Sequence, residues 1–131
     1  MVAKLFKKRQ EEIMKKFEGQ KVLGAFGSAN YFGLESKGVK QVRGNGVLVL
    51  TEEKLYFEMW VKPKTILEIP IKSIKEIDTV KSHLHKSKFR PLLKVFFING
   101  LGERDSVAWM VNNLKEWIDA LQKIVIKQNR S

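Results

Sequence analysis

A chain of 131 residues with 44% hydrophobic content has the size and apolar fraction of one globular domain, which leaves little room for a second core and argues against wholesale disorder. Its 25 Lys and Arg against 14 Asp and Glu give a formal charge of +11, which raises affinity for polyanions but equally serves solubility. The absence of cysteine excludes disulfides, thiol nucleophiles and thiolate metal sites, and no apolar run approaches the roughly 18 residues that span a bilayer.

The basic stretch Lys4 to Arg9 is not followed by an apolar signal core, so the chain reads as unexported. The expected location is cytoplasmic, with peripheral contact to a membrane as the alternative. Ala3 to Glu18 has helical periodicity: Phe6, Ile13 and Phe17 share one face, Leu5 and Met14 widen it, and Gly19 can stop the helix. Residues 1–20 are therefore expected to form an amphipathic helix packed on a domain of residues 21–131. Its lysines leave lying on a membrane surface and self-association as alternatives.

Val22 to Ser36 is apolar but punctuated by Gly24, Gly27 and Gly33, and a short strand near Ala29–Leu34 is expected. Gly44-Asn45-Gly46 reads as a turn or bulge. Gly46–Leu50 and Leu55–Val61 read as two strands joined through Thr51-Glu52-Glu53-Lys54. In the second, Leu55, Phe57 and Met59 alternate with Tyr56, Glu58 and Trp60. Thr65–Ile71 alternates again, with Pro70 marking a bend or an edge. Ser73–Val80 follows, and the polar, basic Lys81–Arg90 is expected to be a loop. Leu92–Ile98 and Glu103–Val111 are strands on either side of Asn99-Gly100-Leu101-Gly102. The last segment is an amphipathic helix with Asn113 and Glu116 as a capping pair. Leu114, Trp117, Ile118, Leu121 and Val125 form its apolar face.

The order is thus a helix, about seven strands and a closing helix. A bent barrel or orthogonal sandwich plugged by that helix would cover the sheet and protect its edges. Three stretches in this order resemble the GRAM group of pleckstrin-homology-like domains: Gly46 to Phe57 is similar to the central hairpin, Ile69 to Ile77 to the Ile-Pro corner, and Glu116 to Leu121 to the closing helix with its capping tryptophan. The resemblance runs from about Gly46 to Leu121. It implies a mostly β fold with flanking helices: a seven-stranded, bent antiparallel barrel capped by a C-terminal helix that carries Trp117 and Leu121 as structural cap. It also implies binding of lipid headgroups or proteins without catalysis or cofactor.

Two basic stretches are candidate anion-binding sites. Lys37, Lys40 and Arg43 lie between the first two strands, where inositide-binding relatives of the resembled fold place cations; the i, i+3 spacing of Lys40 and Arg43 would turn them to opposite faces of a strand. Lys81, Lys86, Lys88 and Arg90 form the densest positive patch, with Phe89, His83 and His85 but no acid. The H-x-H pair lacks further ligands and has lysine neighbours, so no metal is expected. No nucleophile elbow, phosphate loop or carboxylate cluster suggests an enzyme. Asp105 and Glu103 read as solubilising residues at a strand end. The expected function is a non-catalytic module docking a protein partner or its own copy; the alternative is an anionic surface, membrane lipid or nucleic acid, reached through the basic loops.

Overall fold

The computed structural model describes residues 8, 11–38, 41, 44–60, 65–83 and 86–129, without the side chains of 25–28, 82, 86–90 and 129. Phe6, Lys40 and Arg43 lie outside the described residues, as does His85. Seven strands form one antiparallel sheet in the order β4-β3-β2-β1-β7-β6-β5. They are β1 (Val22–Leu34), β2 (Gly44–Thr51), β3 (Lys54–Met59), β4 (Ile66–Pro70), β5 (Ile74–His83), β6 (Lys86–Ile98) and β7 (Arg104–Met110). β4 and β5 are its two edges and are not hydrogen-bonded to each other, so the bent sheet stays unclosed along this seam. A 3-10 turn, Ile71–Ser73, joins them.

The alternation in β3 sorts the interior. Leu55, Phe57 and Met59 enter the main core with Tyr31, Leu48, Leu50, Ile69, Val95 and Trp109. The opposite face of β2 and β3 is also apolar. Val47, Val49 and Tyr56 on that face bury Ile13 and Phe17 of the N-terminal segment, which is helical at 11–14 and ends in a 3-10 turn, Lys15–Phe17. Each such side chain contributes about 1.5–3 kcal/mol through its removal from water. The C-terminal helix, Leu114–Asn129, closes one end of the main core with Trp117, Leu121 and Ile124. Asn113 begins it, its carbonyl accepting from the Trp117 N–H at 3.1 Å. The expected capping pair does not form as a capping box: Asn113 Nδ2 donates to the Glu116 carboxylate at 3.2 Å, and neither side chain takes a backbone N–H of the first turn. No helix among the described residues is long and apolar enough to cross a membrane.

Four local expectations need correction. β1 is not a short strand but spans 13 residues. Its glycines do not break it, because β2 and β7 both pair with it and its irregularities are absorbed as register shifts at Val22/Gly24, Phe26/Ala29 and Tyr31/Gly33. Gly44-Asn45-Gly46 is not a turn but the start of β2. Gly46 is required there by close approach: a Cβ would stand 2.3 Å from the Glu58 carbonyl oxygen and 2.7 Å from the Phe57 ring. Lys81–Arg90 is not a loop but the outer end of the β5–β6 hairpin, with Ser82 opposite Ser87 and His83 opposite Lys86. A polar composition does not exclude a strand: Lys81 is exposed on β5, while His83 at the hairpin end is buried. Ile124, which the heptad-like reading of the last helix passed over, is buried with Trp117 and Leu121.

Candidate functional site

The end of the sheet from which the first loop leaves β1 is built around two carboxylates and one amide. Asp105 at the start of β7 is buried, not a solubilising residue. Its oxygens accept from the Ser36 N–H at 3.0 Å, the Ser36 hydroxyl at 2.6 Å and the Ser106 N–H at 2.8 Å. Ser106 in turn donates to Glu35. Gln41 closes the loop from the other side. It accepts from Leu34 N–H at 2.8 Å and Tyr31 OH at 3.2 Å, and donates to the carbonyls of Leu34 and Gly38, both at 2.6 Å. Gly33, at φ +108°, makes room for it, since a Cβ there would meet the Gln41 amide at 2.7 Å. Lys37 lies exposed on the 3-10 turn Glu35–Lys37 of this loop. The position where the sequence suggested a cationic cradle is thus fastened by Glu35 and Asp105, whose charge opposes an anionic headgroup.

Beside this loop, at the end of the unclosed seam, a cleft of about 400 Å³ lies between β4 and the end of β6, with Leu34, Leu67, Pro70, Phe97 and Ile98 among its apolar lining and Glu68 and Asp105 at its polar edge. Two large apolar side chains flank it in the chain. Ile66, next to Leu67, is 51% exposed, and Leu101, next to the lining residue Gly100, is 83% exposed. Leu101 is held out by a built turn. The Asn99 side chain accepts from the N–H groups of Leu101 at 2.9 Å and Glu103 at 3.1 Å. Backbone bonds join Asn99 to Glu103 at 2.8 Å and Gly102 to Asn99 at 2.9 Å, and Gly102 takes φ +78°. A second hollow, of about 480 Å³, runs along the C-terminal helix, but Lys21 and Lys127 there both approach Glu52, at 3.4 and 4.0 Å.

The shape can now be compared with solved structures. The chain superposes on the "Vps36 N-terminal PH domain" with a TM-score of 0.63 at 16% identity, over 87% of this chain and 85% of that one. It superposes on the C-terminal domain of an unknown protein from Leishmania infantum with a TM-score of 0.58 at 17% identity, over 96% and 99% of the two chains. The fold is pleckstrin-homology-like. No family model matches the sequence, and no curated protein matches it. Identities this low carry the fold alone, and the pleckstrin-homology-like scaffold hosts many functions.

On this pleckstrin-homology-like frame the predicted site residues are spread over several elements. Trp117 and Leu121 are buried beneath the C-terminal helix. Lys81 is exposed near the end of β5, while Lys86, Lys88 and Arg90 lie on the first residues of β6, their side chains outside the description. His83 is buried and its Nε2 donates to the Gly33 carbonyl at 2.8 Å. That bond brings the hairpin end to the strand end from which the Lys37 turn departs, so Lys37 and the hairpin end lie at neighbouring places in the fold.

Sequence reasoning passed over a further polar group on the opposite side of the sheet. Glu58 is buried on the outer face of β3, where Tyr56 donates to it at 2.5 Å and Lys16 at 2.6 Å. Burial pushes the Tyr56 phenol up to about 12, and its bond to Glu58 adds to the effect. The bond to Glu58 also raises Lys16 above its ordinary value, partly offset by desolvation. The signal was present: an acid standing between Tyr56 and Trp60 on an aromatic strand face needs a partner, and Lys16 follows Ile13 by one helical turn. Leu101 carried a weaker signal, an apolar residue set between two glycines in a turn.

Proposed function

We propose that this chain is a non-catalytic binding module that docks a protein surface, either a partner or a second copy, at the seam cleft. The observation that carries this reading is Leu101, held exposed on a rigid turn beside an apolar cleft. Isolated exposed leucines need no explanation, but two exposed side chains next to one concave apolar surface form the pattern of a recognition site. Glu35, Glu68 and Asp105 at the same end make a polyanion a poor occupant. The GRAM-type resemblance and the cytoplasmic placement belong to the same proposal.

The test is a photoreactive amino acid in place of Leu101 in the full chain, expressed in its host cells, with the same residue at exposed Lys115 as control. Discrete protein adducts from position 101 alone are expected. Label passing only to lipid, or no adduct above the Lys115 control, overturns the reading.

A second reading is supported by the His83–Gly33 bond, which gathers the basic hairpin end and the Lys37 loop at one end of the sheet. It takes the module to an anionic membrane surface, or less favourably to nucleic acid, through charge alone. Binding to phosphatidylserine vesicles that falls steeply with salt, and is lost in Lys86→Glu with Lys88→Glu, would support it over the first.

A further inference from the structure

β1 is bare along part of one edge. It pairs with β2 from Val22 onward, but β7 joins it only at Asn30, so on that side residues 22–29 have no strand partner among the described residues. The chain leaves β7 at Met110 and enters the C-terminal helix at Leu114. That helix passes the start of β1, where a Cβ at Gly24 would stand 3.8 Å from the Trp117 ring. Two hollows of about 480 and 260 Å³ share Leu23, Glu116 and Ala120, and so form one groove between β1 and the helix. Leu23, Gly24, Ala120 and Ile124 make its apolar floor. A bare strand edge beside a groove calls for one class of occupant, because another extended chain is what satisfies a row of backbone N–H and C=O groups. We infer that this groove, separate from the seam, takes an extended peptide segment of a partner protein, which adds as a strand to the bare edge of β1.

Charge gives the segment a sign at each end. Glu116 and Asp119 line one end of the groove, and Lys123 and Lys127 line the other, with Lys21 at the start of the sheet beside them. Lys21 and Lys127 both approach Glu52, at 3.4 and 4.0 Å, but exposed pairs hold weakly, and one acid against two lysines leaves this end positive. Asp119 and Lys123 make no ion pair among the described residues. A helix rises about 1.5 Å per residue, so the two poles stand about 11 Å apart, the length of about three or four residues of strand. β1 runs against the helix, since Lys21 lies at the Lys127 end and Gly24 at the Trp117 end. Antiparallel pairing is the more stable kind. The segment therefore runs with the helix: a basic residue comes first, over Glu116 and Asp119, and an acidic one about three or four residues later, over Lys123 and Lys127. Apolar side chains between them meet Leu23, Ala120 and Ile124.

The experiment is selection of random peptides of strand length, displayed on phage, against the immobilised full chain, with the enriched peptides then measured by fluorescence anisotropy. They are expected to carry Lys or Arg ahead of Asp or Glu at the stated spacing. The charge reversal Asp119→Lys with Lys123→Glu changes two exposed helical residues, and circular dichroism checks its fold. It should weaken the selected peptides at least about tenfold. Leu101→Asp, at the seam, should bind them as the wild type does. Bound peptide should slow amide hydrogen exchange within residues 22–29. No enriched peptide overturns the inference, as do acidic peptides without the basic residue, which the overall charge of +11 would select. Equal binding to the charge-reversed chain, or unchanged exchange in 22–29, also overturns it. Loss of binding in Leu101→Asp would overturn it by placing the peptide at the seam, whereas the adducts read at position 101 test the seam reading by themselves.

Discussion

Two apolar surfaces of the sheet are treated differently by the chain. On the outer face of β2 and β3 the N-terminal segment lays Ile13 and Phe17 over Val47, Val49 and Tyr56, and closes the contact with the buried Glu58 held by Tyr56 and Lys16. At the seam, Ile66 and Leu101 stand exposed beside a cleft that no described segment fills. A buried carboxylate is tolerable only if its partners stay in place, so the first contact is permanent and belongs to the fold. An exposed leucine on a preformed turn has no such obligation, and the second surface is free to serve an external contact. The N-terminal segment is thus a structural cover, and Lys16, one of the lysines that made it look membrane-seeking, is spent on Glu58.

The comparison breaks first at Phe17. Phe17→Ala should lower stability by about 3–5 kcal/mol, measured by denaturant unfolding, because it removes a buried ring that packs edge-on to Tyr56 at 5.1 Å. A loss under about 0.5 kcal/mol would mean that the cover is not part of the fold.

A middle-sized effect sharpens the role of the buried carboxylate. Tyr56→Phe should cost about 1–2 kcal/mol by removing a hydrogen bond to a charged acceptor. It should also change the alkaline limb of stability. With its phenol raised from 10.0 to about 12, the folded chain keeps a proton that the unfolded chain releases. Stability from this group is therefore complete below pH 10 and is lost as pH rises through about 12. The raised Lys16 acts in the same direction. Thermal melts between pH 8 and 12 should show a shallower decline in Tyr56→Phe than in the wild type; parallel declines would remove Tyr56 from this role.

The smallest effect belongs to the seam. Leu101→Asp should change monomer stability by less than about 0.5 kcal/mol, since the side chain is 83% exposed. A large loss of stability at concentrations where the chain is monomeric would make Leu101 a part of the fold and erase the contrast.

Much of the architecture was legible locally. The alternation of Leu55 to Trp60 separates two faces, and both faces are used as it indicated. Pro70 marked a bend or an edge because its missing N–H cannot serve an interior ladder, and β4 is an edge. Trp117 and Leu121 were readable from helical spacing as one apolar face, and the resemblance implied that this face is the cap. The candidate anion sites could not be placed from the sequence, because charge in a sequence carries no position. Lys37 lies beside Glu35 and near Asp105, acids contributed from the loop itself and from a strand about seventy residues away.

What the sequence determined by itself is whatever a period or a single backbone rule can encode: strand and helix existence, the core faces, the bend or edge at Pro70 and the closing helix. The tertiary structure decided the length of β1, whose glycines persist in a strand because neighbours on both sides supply its hydrogen bonds. It also decided the pairing of Lys16 with Glu58, the fastening of the first loop by Gln41 and Asp105, and the opening of the seam beside Leu101. Each of these depends on which residues distant in the chain become neighbours when the sheet bends. Local propensity has no access to that, because contact energies are set after the chain has closed on itself.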